Sequence, residues 1–257
     1  MDVYFSIITI NKNNAFGLEQ TLQSIIVQEK YLYELIIIDG KSEDNSLDII
    51  NKYQKYITYS ISELDTGVYN AMNKGIKKAK GKYVIFMNSG DKFANPDILK
   101  TIKKMSFNSD FIFGATNYKK GKSCLKIELP QKISFSLFVS NGICHQSSFI
   151  KRYLFDEIGY YDENEKILSD WMFFITALGK YNKNYSIVRF PISEYDMNGI
   201  SSFDPNISYK KEYFLKNEFG FFYDDYRKFS YFEKFSYYNL KTKLKWTLYN
   251  FKYKLNL

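Results

Sequence analysis

The stretch SELDTGVYNAMNKGIKKAKGKYVIFMNSGD, Ser62–Asp91, decides the fold. It contains a helix-like segment, Thr66–Lys80, and then an apolar run, Tyr83–Met87, that ends in the small polar residues Asn88–Asp91. A fully apolar run next to a helix is typical of a strand buried on both faces of a parallel sheet. Ligands of such sheets bind beyond the carboxyl ends of the strands, so we expect Asn88–Asp91 to face a ligand.

The same alternation of strand and helix extends from this stretch towards the N-terminus. The predicted strands there are Val3–Ile10, Leu35–Ile38 and Ile57–Ser62, and the predicted helices are Phe16–Gln28 and Asp44–Tyr53. Polar residues follow each strand: Asn11, Asp39, Glu63–Asp65 and Asn88–Asp91. We therefore expect four polar clusters to meet in one crevice of an α/β domain whose central sheet is mostly parallel, with helices on both faces.

The second half of the chain is less regular. The predicted helices are Asn95–Met105 and Leu168–Leu178, and the predicted strands are Phe111–Phe113, Ser123–Ile127 and Ile187–Tyr195. From about Asn206 onward aromatic and basic residues dominate. We therefore predict an α/β domain over residues 1–205 and a helical extension over residues 206–257.

Composition indicates where the protein is located more clearly than which reaction it catalyses. The 257 residues carry a net charge of +8, which suits phosphates, nucleic acid or anionic lipid but also reflects a bias towards Lys codons. Cys124 and Cys144 have no metal-ligand spacing and fit a reducing cytosol. The start, MDVYFSIITI, lacks the features of a signal peptide, and no apolar stretch has the length of a membrane-spanning helix. The predicted location is the cytoplasm.

The polar clusters suit a sugar-nucleotide and its metal ion. Asp91 can supply an oxygen ligand to Mn²⁺ or Mg²⁺, because hard cations that neutralise a diphosphate prefer oxygen. Asn88 can hydrogen-bond a ribose hydroxyl without adding negative charge. Asp39 and Asp65 can accept hydrogen bonds from the base or the ribose, and Lys74 can neutralise phosphate.

Several segments together resemble the family-2 glycosyltransferases of the GT-A fold. The matching pieces are SIITINKN at Ser6–Asn13, IIIDGKSEDNS at Ile36–Ser46, DTGVYNAMNKG at Asp65–Gly75, GKYVIFMNSGD at Gly81–Asp91, GICHQSSF at Gly142–Phe149 and SDWMFF at Ser169–Phe174. Their order and spacing over about the first 200 residues resemble the bacterial non-processive branch that builds capsule, exopolysaccharide or O-antigen units. The QxxRW motif of processive synthases is absent from the sequence.

The resemblance implies roles for particular residues. The family's DxD element corresponds to Asn88–Asp91, with Asn88 in place of the first acid, so the metal contact is expected at Asp91 and the ribose contact at Asn88. His145 is implied as a second metal or diphosphate contact, and Asp170 as the catalytic base. Nucleotide contacts are implied for Thr9, Asn11, Asp39, Asp65, Asn73 and Lys74. The nucleotide would bind in residues 1–92 and the acceptor in residues 93–205.

Each of these residues also has an ordinary structural explanation. Asp39 and Asp91 are typical turn residues, and Asp65 can cap a helix. Lys74 belongs to a lysine-rich helix face, and a lone histidine such as His145 is more often structural. An acid in the first turn of a helix, as at Asp170, is favourable without any catalytic role. The alternative bases are Asp162 and Glu163, and Gly199–Ser201 is a candidate active-site loop.

The C-terminal extension carries +6 of the net charge. Its apolar stripe is Tyr237, Leu240, Leu244, Leu248, Phe251 and Leu255, flanked by lysines. This pattern indicates a helix lying on the inner face of the cytoplasmic membrane, with contact through residues 230–257. The alternative is a helix packed on its own domain or on a second subunit.

The predicted activity is inverting transfer of one hexose or N-acetylhexosamine from a UDP-sugar to an acceptor, in cell-surface polysaccharide biosynthesis. The expected acceptor is a lipid-linked sugar diphosphate or an oligosaccharide. The first alternative is a sugar-phosphate nucleotidyltransferase, for which TINKNNAFG, residues 9–17, is a poor phosphate loop. The second is a non-catalytic, membrane-associated interaction protein. Nucleic-acid binding is disfavoured, because the basic residues of the extension follow a helical stripe and no recognition module is present.

Overall fold

The computed structural model describes residues 3–121, 123–140, 142–196 and 206–233, and a mixed β-sheet lies at its centre. The strands are β1 (Phe5–Asn11), β2 (Tyr33–Asp39), β3 (Tyr59–Ser62), β4 (Tyr83–Phe86), β5 (Lys92–Phe93), β6 (Phe111–Lys120), β7 (Ser123–Ile127), β8 (Ser148–Lys151) and β9 (Tyr185–Asp196). The helices are α1 (Ala15–Ile26), α2 (Ser46–Lys52), α3 (Val68–Lys78), α4 (Ile98–Lys104), α5 (Phe135–Ser140), α6 (Tyr153–Ile158), α7 (Ser169–Gly179) and α8 (Ile207–Glu233). In the sheet the strands follow the order β3-β2-β1-β4-β8-β6-β9-β5, and β7 pairs with β6.

The parallel part of the sheet confirms the alternation read from the sequence. β1 pairs in parallel with β2 and β4, and β2 pairs in parallel with β3. These strands are apolar because helices cover both faces: Leu18 and Leu22 of α1 pack on one side, and Met72 and Ile76 of α3 pack on the other.

The strand register brings the predicted polar ends together. Asn11 lies opposite Asp39, and Asp39 lies opposite Ser62. The carboxyl ends of β1, β2 and β3 therefore form one rim.

The second half of the sheet is largely antiparallel. β8 runs antiparallel to both β4 and β6, and β5 runs antiparallel to β9. The pattern did not predict β5, β8, α5 or α6, because each is short and breaks the strand–helix alternation. The predicted helix Leu168–Leu178 is confirmed as α7.

The last described helix, α8, belongs to the same core as α3 and α7. Leu215 is 1% exposed and packs in that core together with Phe219 and Tyr223. The helix bends at Gly220, where φ is 30°. No helix in the described part of the chain has the length and apolar character needed to cross a membrane. The predicted stripe from Tyr237 to Leu255 and the predicted loop Gly199–Ser201 lie outside the described residues.

Candidate active site

A cavity of about 940 Å³ lies at the carboxyl ends of β1 and β4 and reaches the first turn of α7. This volume lies within the range usual for small-molecule sites. Six of the predicted site residues line it: Asn11, Asp65, Asn88, Asp91, His145 and Asp170. They come from distant parts of the chain, as the strand-end pattern requires. Thr9, Asp39, Asn73 and Lys74 do not line the cavity.

Asp39 is buried directly behind the cavity and anchors its rim. Its carboxylate accepts hydrogen bonds from Asn11 Nδ2 at 2.8 Å, from the backbone N–H and hydroxyl of Ser42 at 2.9 and 2.6 Å, and from Ser62 Oγ at 2.6 Å. Burial alone would raise the pKa of Asp39, but the hydrogen bonds from Ser42, Ser62 and Asn11 outweigh it and the pKa lies below its usual value. Asp39 is therefore ionised and has its acceptors in use.

Asn11 connects this anchor to the loop after β4. Its amide group donates to Asp39, and its Oδ1 accepts a hydrogen bond from Ser89 Oγ at 2.6 Å. The predicted Asp39 and Asn88–Asp91 clusters are thus joined through one side chain, although only the second cluster reaches the cavity.

A tight turn presents Asn88 and Asp91 to the cavity. The backbone N–H of Asp91 donates to the carbonyl of Asn88 at 2.8 Å, and Gly90 has φ 105°, a conformation that favours glycine. Thr21 of α1 supports the turn, because its hydroxyl accepts from the Gly90 N–H at 2.9 Å and lies 2.7 Å from the carbonyl of Asp91. The sequence reading missed Thr21, since a hydroxyl on an amphipathic helix carries no signal of its own.

Asp91 and Asn88 both line the cavity. Asp91 is 4% exposed, and its Oδ2 accepts a hydrogen bond from Gln146 Nε2 at 3.1 Å. Asn88 Oδ1 is buried without a hydrogen-bond partner among the described residues. A buried acceptor without a donor is costly, and a ligand hydroxyl would satisfy it.

His145 links the Asn88 side of the cavity to Asp170. Its Nδ1 lies 2.7 Å from Asp170 Oδ2, and its Nε2 lies 3.4 Å from Asn88 Nδ2. With the Nδ1 proton donated to the carboxylate, the Nε2 lone pair points away from Asp170. This carboxylate–histidine arrangement is the one that orients histidine ligands towards metal ions.

Asp170 is held by a second donor that the sequence reading did not assign. The hydroxyl of Tyr69, on α3, donates to Asp170 Oδ1 at 2.7 Å, and Tyr69 itself lines the cavity. Burial would raise the pKa of Asp170, but the hydrogen bonds from His145 and from the Tyr69 hydroxyl outweigh it and lower the pKa. Asp170 is therefore a carboxylate with both oxygens engaged.

Lys74 stabilises the loop that carries Asp65. Its ammonium group lies 2.5 Å from Asp65 Oδ1 and 2.8 Å from Glu63 Oε1. Burial lowers the pKa of Lys74, and these two carboxylates more than reverse that effect. The charge predicted to contact phosphate is thus paired with the two carboxylates of the loop that precedes α3.

Asn73 ties α3 to the segment before α7. Its amide donates to the carbonyl of Tyr161 at 2.8 Å and to Glu163 Oε1 at 2.9 Å. The alternative base Glu163 is therefore bound to α3, and Asp162 accepts the backbone N–H of Asn164 at 2.9 Å. Thr9 is buried in β1, and its hydroxyl has no partner in the described part of the chain.

The cavity residues fit a metal ion that arrives with a diphosphate. Asp91 and His145 both line the cavity, and the buried Asn88 oxygen lacks a donor beside them. Over the described ranges, no three His, Cys, Asp or Glu side chains gather closely enough to hold a metal alone. A cation at this position would need further oxygens from the substrate, as Mg²⁺ with nucleotide phosphates commonly does.

Known proteins resemble this chain in sequence and in fold. The model of glycosyl transferase family 2 matches residues 6–179. A PGL/p-HBAD biosynthesis glycosyltransferase of Mycobacterium bovis is 32% identical over 180 residues, which are 66% of this chain and 67% of that protein.

Solved proteins that share the fold include S. aureus TarS and the mannosyltransferase PcManGT. Structures of S. aureus TarS 1–349 with UDP and with UDP-GlcNAc match at a TM-score of 0.67 with 20% and 19% identity; they cover 84% of this chain, which spans 65% and 67% of the solved chains. The mannosyltransferase PcManGT from Pyrobaculum calidifontis, in complex with GDP-Man and Mn²⁺, matches at 0.56 with 12% identity over 84% of this chain and 61% of that one. At these identities the likeness is one of fold.

Proposed function

This chain belongs to glycosyl transferase family 2, and we propose that it is an inverting, metal-dependent member that transfers one hexose or N-acetylhexosamine from a UDP-sugar. The proposed acceptor is a lipid-linked sugar diphosphate or an oligosaccharide, and the proposed pathway makes a cell-surface polysaccharide. The name of the mycobacterial relative supports a biosynthetic role, and the TarS complexes support a UDP-sugar donor.

One observation carries the proposal: His145 stands between the Asn88–Asp91 turn and Asp170 in one cavity. Asp91 and His145 would hold Mn²⁺ or Mg²⁺, which when bound neutralises charge on the leaving diphosphate. Asn88 Oδ1 would accept a hydrogen bond from the ribose. The leaving diphosphate and the base Asp170 would then lie in the same cavity, on either side of His145.

The reaction is a single displacement. The acceptor oxygen forms a bond to the anomeric carbon as the bond to UDP breaks, and the electron pair leaves with UDP. Asp170 takes the hydroxyl proton, a step that contributes about 10²–10⁴-fold in enzymes. Attack opposite the departing UDP inverts the anomeric configuration.

The C-terminal extension supports a location near the membrane. We infer peripheral contact through residues 230–257, where basic and aromatic residues predominate and which lie mostly outside the described residues. Such contact would bring the cavity to lipid-linked acceptors.

A donor screen with the purified full chain tests the function. We expect one UDP-sugar to release UDP without pyrophosphate, EDTA to suppress the release, and added Mn²⁺ to restore it. In a parallel assay, release of pyrophosphate from UTP and a sugar 1-phosphate would establish nucleotidyl transfer instead. Release that EDTA leaves unchanged would refute the metal dependence, and failure to bind UDP in calorimetry would refute the donor class.

A further inference from the structure

The single helical turn His145–Ser147 contacts both the proposed metal ligand and the proposed base. His145 Nδ1 lies 2.7 Å from Asp170 Oδ2, and the amide of the next residue, Gln146, donates to Asp91 Oδ2 at 3.1 Å. Two consecutive residues therefore reach the two carboxylates on which the proposed chemistry depends.

The third residue of the turn, Ser147, fixes it to the sheet. Ser147 is 1% exposed, and its hydroxyl donates to the carbonyl of Ala115 at 2.9 Å. The same hydroxyl accepts from Thr116 Oγ1 of β6 at 2.8 Å and lies 2.7 Å from Ser193 Oγ of β9. The donor and both lone pairs of Ser147 are thus engaged, and the turn is held by two strands.

The amide of Gln146 is held in one orientation by the groups on either side of it. Gln146 is buried and lines the cavity. Its Oε1 accepts a hydrogen bond from Cys144 Sγ at 3.0 Å, while its Nε2 donates to Asp91. A thiol can donate a proton and a carboxylate can accept one, so a reversed amide would lose both hydrogen bonds.

We propose that Gln146 is a positioning residue that orients the Asp91 carboxylate for the divalent cation. The inference rests on the proposed function, since it takes Asp91 as a metal ligand. A neutral amide holds this carboxylate without neutralising it, whereas a lysine or arginine in the same place would compete with the cation. Loss of such an outer partner typically costs about 10–100-fold in metal affinity or activity.

The test compares the affinity for UDP with and without metal in the purified full chain. Calorimetry measures it in excess Mn²⁺, and ligand-observed NMR measures the weaker binding expected in EDTA. Gln146→Met keeps the length of the side chain and removes the N–H donor. We expect the ratio of the two affinities to fall about tenfold in this variant, with the affinity in EDTA within about twofold of wild type.

Gln28→Met is the matched control, because Gln28 is a second buried glutamine whose amide is fully used elsewhere. It is 3% exposed, donates to the carbonyl of Asn95 at 2.8 Å and accepts from the N–H of Leu99 at 3.2 Å. Its loss should destabilise the fold and leave the ratio of the UDP affinities unchanged. An equal fall of the ratio in both variants would show that it follows stability, and would overturn the inference.

The thiol of Cys144 gives a second test from the other end of the amide. Cys144→Ala removes the donor to Oε1, and Cys144→Ser replaces it by a hydroxyl. We expect the ratio to fall about threefold in Cys144→Ala, as for loss of a weak hydrogen bond, and to recover in Cys144→Ser. If Gln146→Met fails to fold, a wild-type ratio in Cys144→Ala overturns the inference.

The wild-type ratio separates this inference from the function on which it rests. A wild-type protein that binds UDP equally well in Mn²⁺ and in EDTA would refute the proposed metal dependence. A metal-dependent wild type with an unchanged ratio in well-folded Gln146→Met would overturn only the positioning role. Equal losses of UDP affinity in Mn²⁺ and in EDTA would make Gln146 a nucleotide contact, which also overturns that role.

Discussion

At the scale of single residues, Asp170 accepts a hydrogen bond on each carboxylate oxygen, from Tyr69 and from His145. Asp170→Asn removes the proton acceptor while keeping the size of the side chain. We expect kcat to fall by about 10²-fold or more, because general base catalysis is lost. UDP affinity should stay within about twofold, since the proposed donor contacts lie at Asp91 and Asn88. Donor turnover and UDP calorimetry on the same preparation measure the two effects.

Asp48→Asn is the matched control, because Asp48 is exposed on α2 away from the cavity. It should keep the wild-type turnover. Near-normal turnover by Asp170→Asn would remove Asp170 from the mechanism and return attention to Asp162 and Glu163.

Tyr69→Phe removes one donor from the same carboxylate. Because the Tyr69 hydroxyl helps to lower the pKa of Asp170, its loss raises that pKa. A base is active when deprotonated, so activity is lost as the pH falls through its pKa, and the acidic limb of the kcat profile should move to higher pH. Loss of one of the two hydrogen bonds that hold Asp170 should also lower kcat by about tenfold at the optimum.

A pH series of kcat and KM measures this change, with Tyr31→Phe as control because Tyr31 is 68% exposed. A merely structural role for Tyr69 would lower the amount of folded protein and leave the acidic limb in place. An unmoved limb in well-folded protein would therefore contradict the positioning role.

The residues found from the sequence are those whose signal is positional. Four of them come after strands: Asn11, Asp65, Asn88 and Asp91. The carboxyl ends of parallel strands lie at one edge of the sheet, whatever the orientation of the individual side chains. Tyr69 was not assigned, because an aromatic residue in an amphipathic helix normally predicts core. Sequence does not reveal that its hydroxyl reaches a carboxylate 101 positions later.

Side-chain direction is the part that the strand-end rule does not predict. Asn73 and Lys74 sit on α3 near the cavity, but their side chains turn to Glu163 and to Asp65. Asp39 lies at the rim, but four hydrogen bonds hold its carboxylate away from the cavity surface. Their nucleotide contacts stay predictions, and each would require a ligand to displace a partner seen here.

At the scale of elements, the close approach of α3 to β1 depends on Gly75. A Cβ atom at Gly75 would overlap Ile8 Cγ2, and Ile8 is fully buried. Gly75→Ala should therefore destabilise the protein by about 1–3 kcal/mol, as overpacking of a core does. The variant should also lower kcat, because a displaced α3 carries Tyr69 away from Asp170.

Urea unfolding measures the stability, and Gly67→Ala, at the N-cap of the same helix, is the control. A Cβ at Gly67 meets nothing within 4 Å, so its cost should be a few tenths of a kcal/mol. Equal stability of the two variants would show that the α3–β1 contact has room to relax.

The elements predicted well are those that obey one simple pattern. β1, β2 and β4 with α1 and α3 follow the rule of buried strand and amphipathic helix. β5 has only two residues and β8 four, and both pair with strands distant in sequence. No local periodicity encodes such pairing, so these strands were missed.

At the scale of the whole molecule, α8 ties the start of the predicted extension into the domain that holds the cavity. Phe214 packs edge-on against Trp171, Lys180 pairs with Glu218, and Leu215 is 1% exposed. If α8 unfolds together with the domain, Leu215→Ala should cost about 2–5 kcal/mol of unfolding free energy. Tyr213→Ala, at a position 61% exposed, should cost about 0.5 kcal/mol or less.

Urea unfolding followed by fluorescence and by circular dichroism shows whether α8 and the α/β domain unfold in one cooperative transition or in two. A boundary near residue 206 that separated an independent extension would leave the main transition of Leu215→Ala unchanged. A single transition that moves as a whole would instead make the first turns of α8 part of the catalytic domain. That result would also explain why Lys211 stays 5.2 Å from the ring centroid of Trp171 on α7: the burial of Leu215 one turn later holds the helix there.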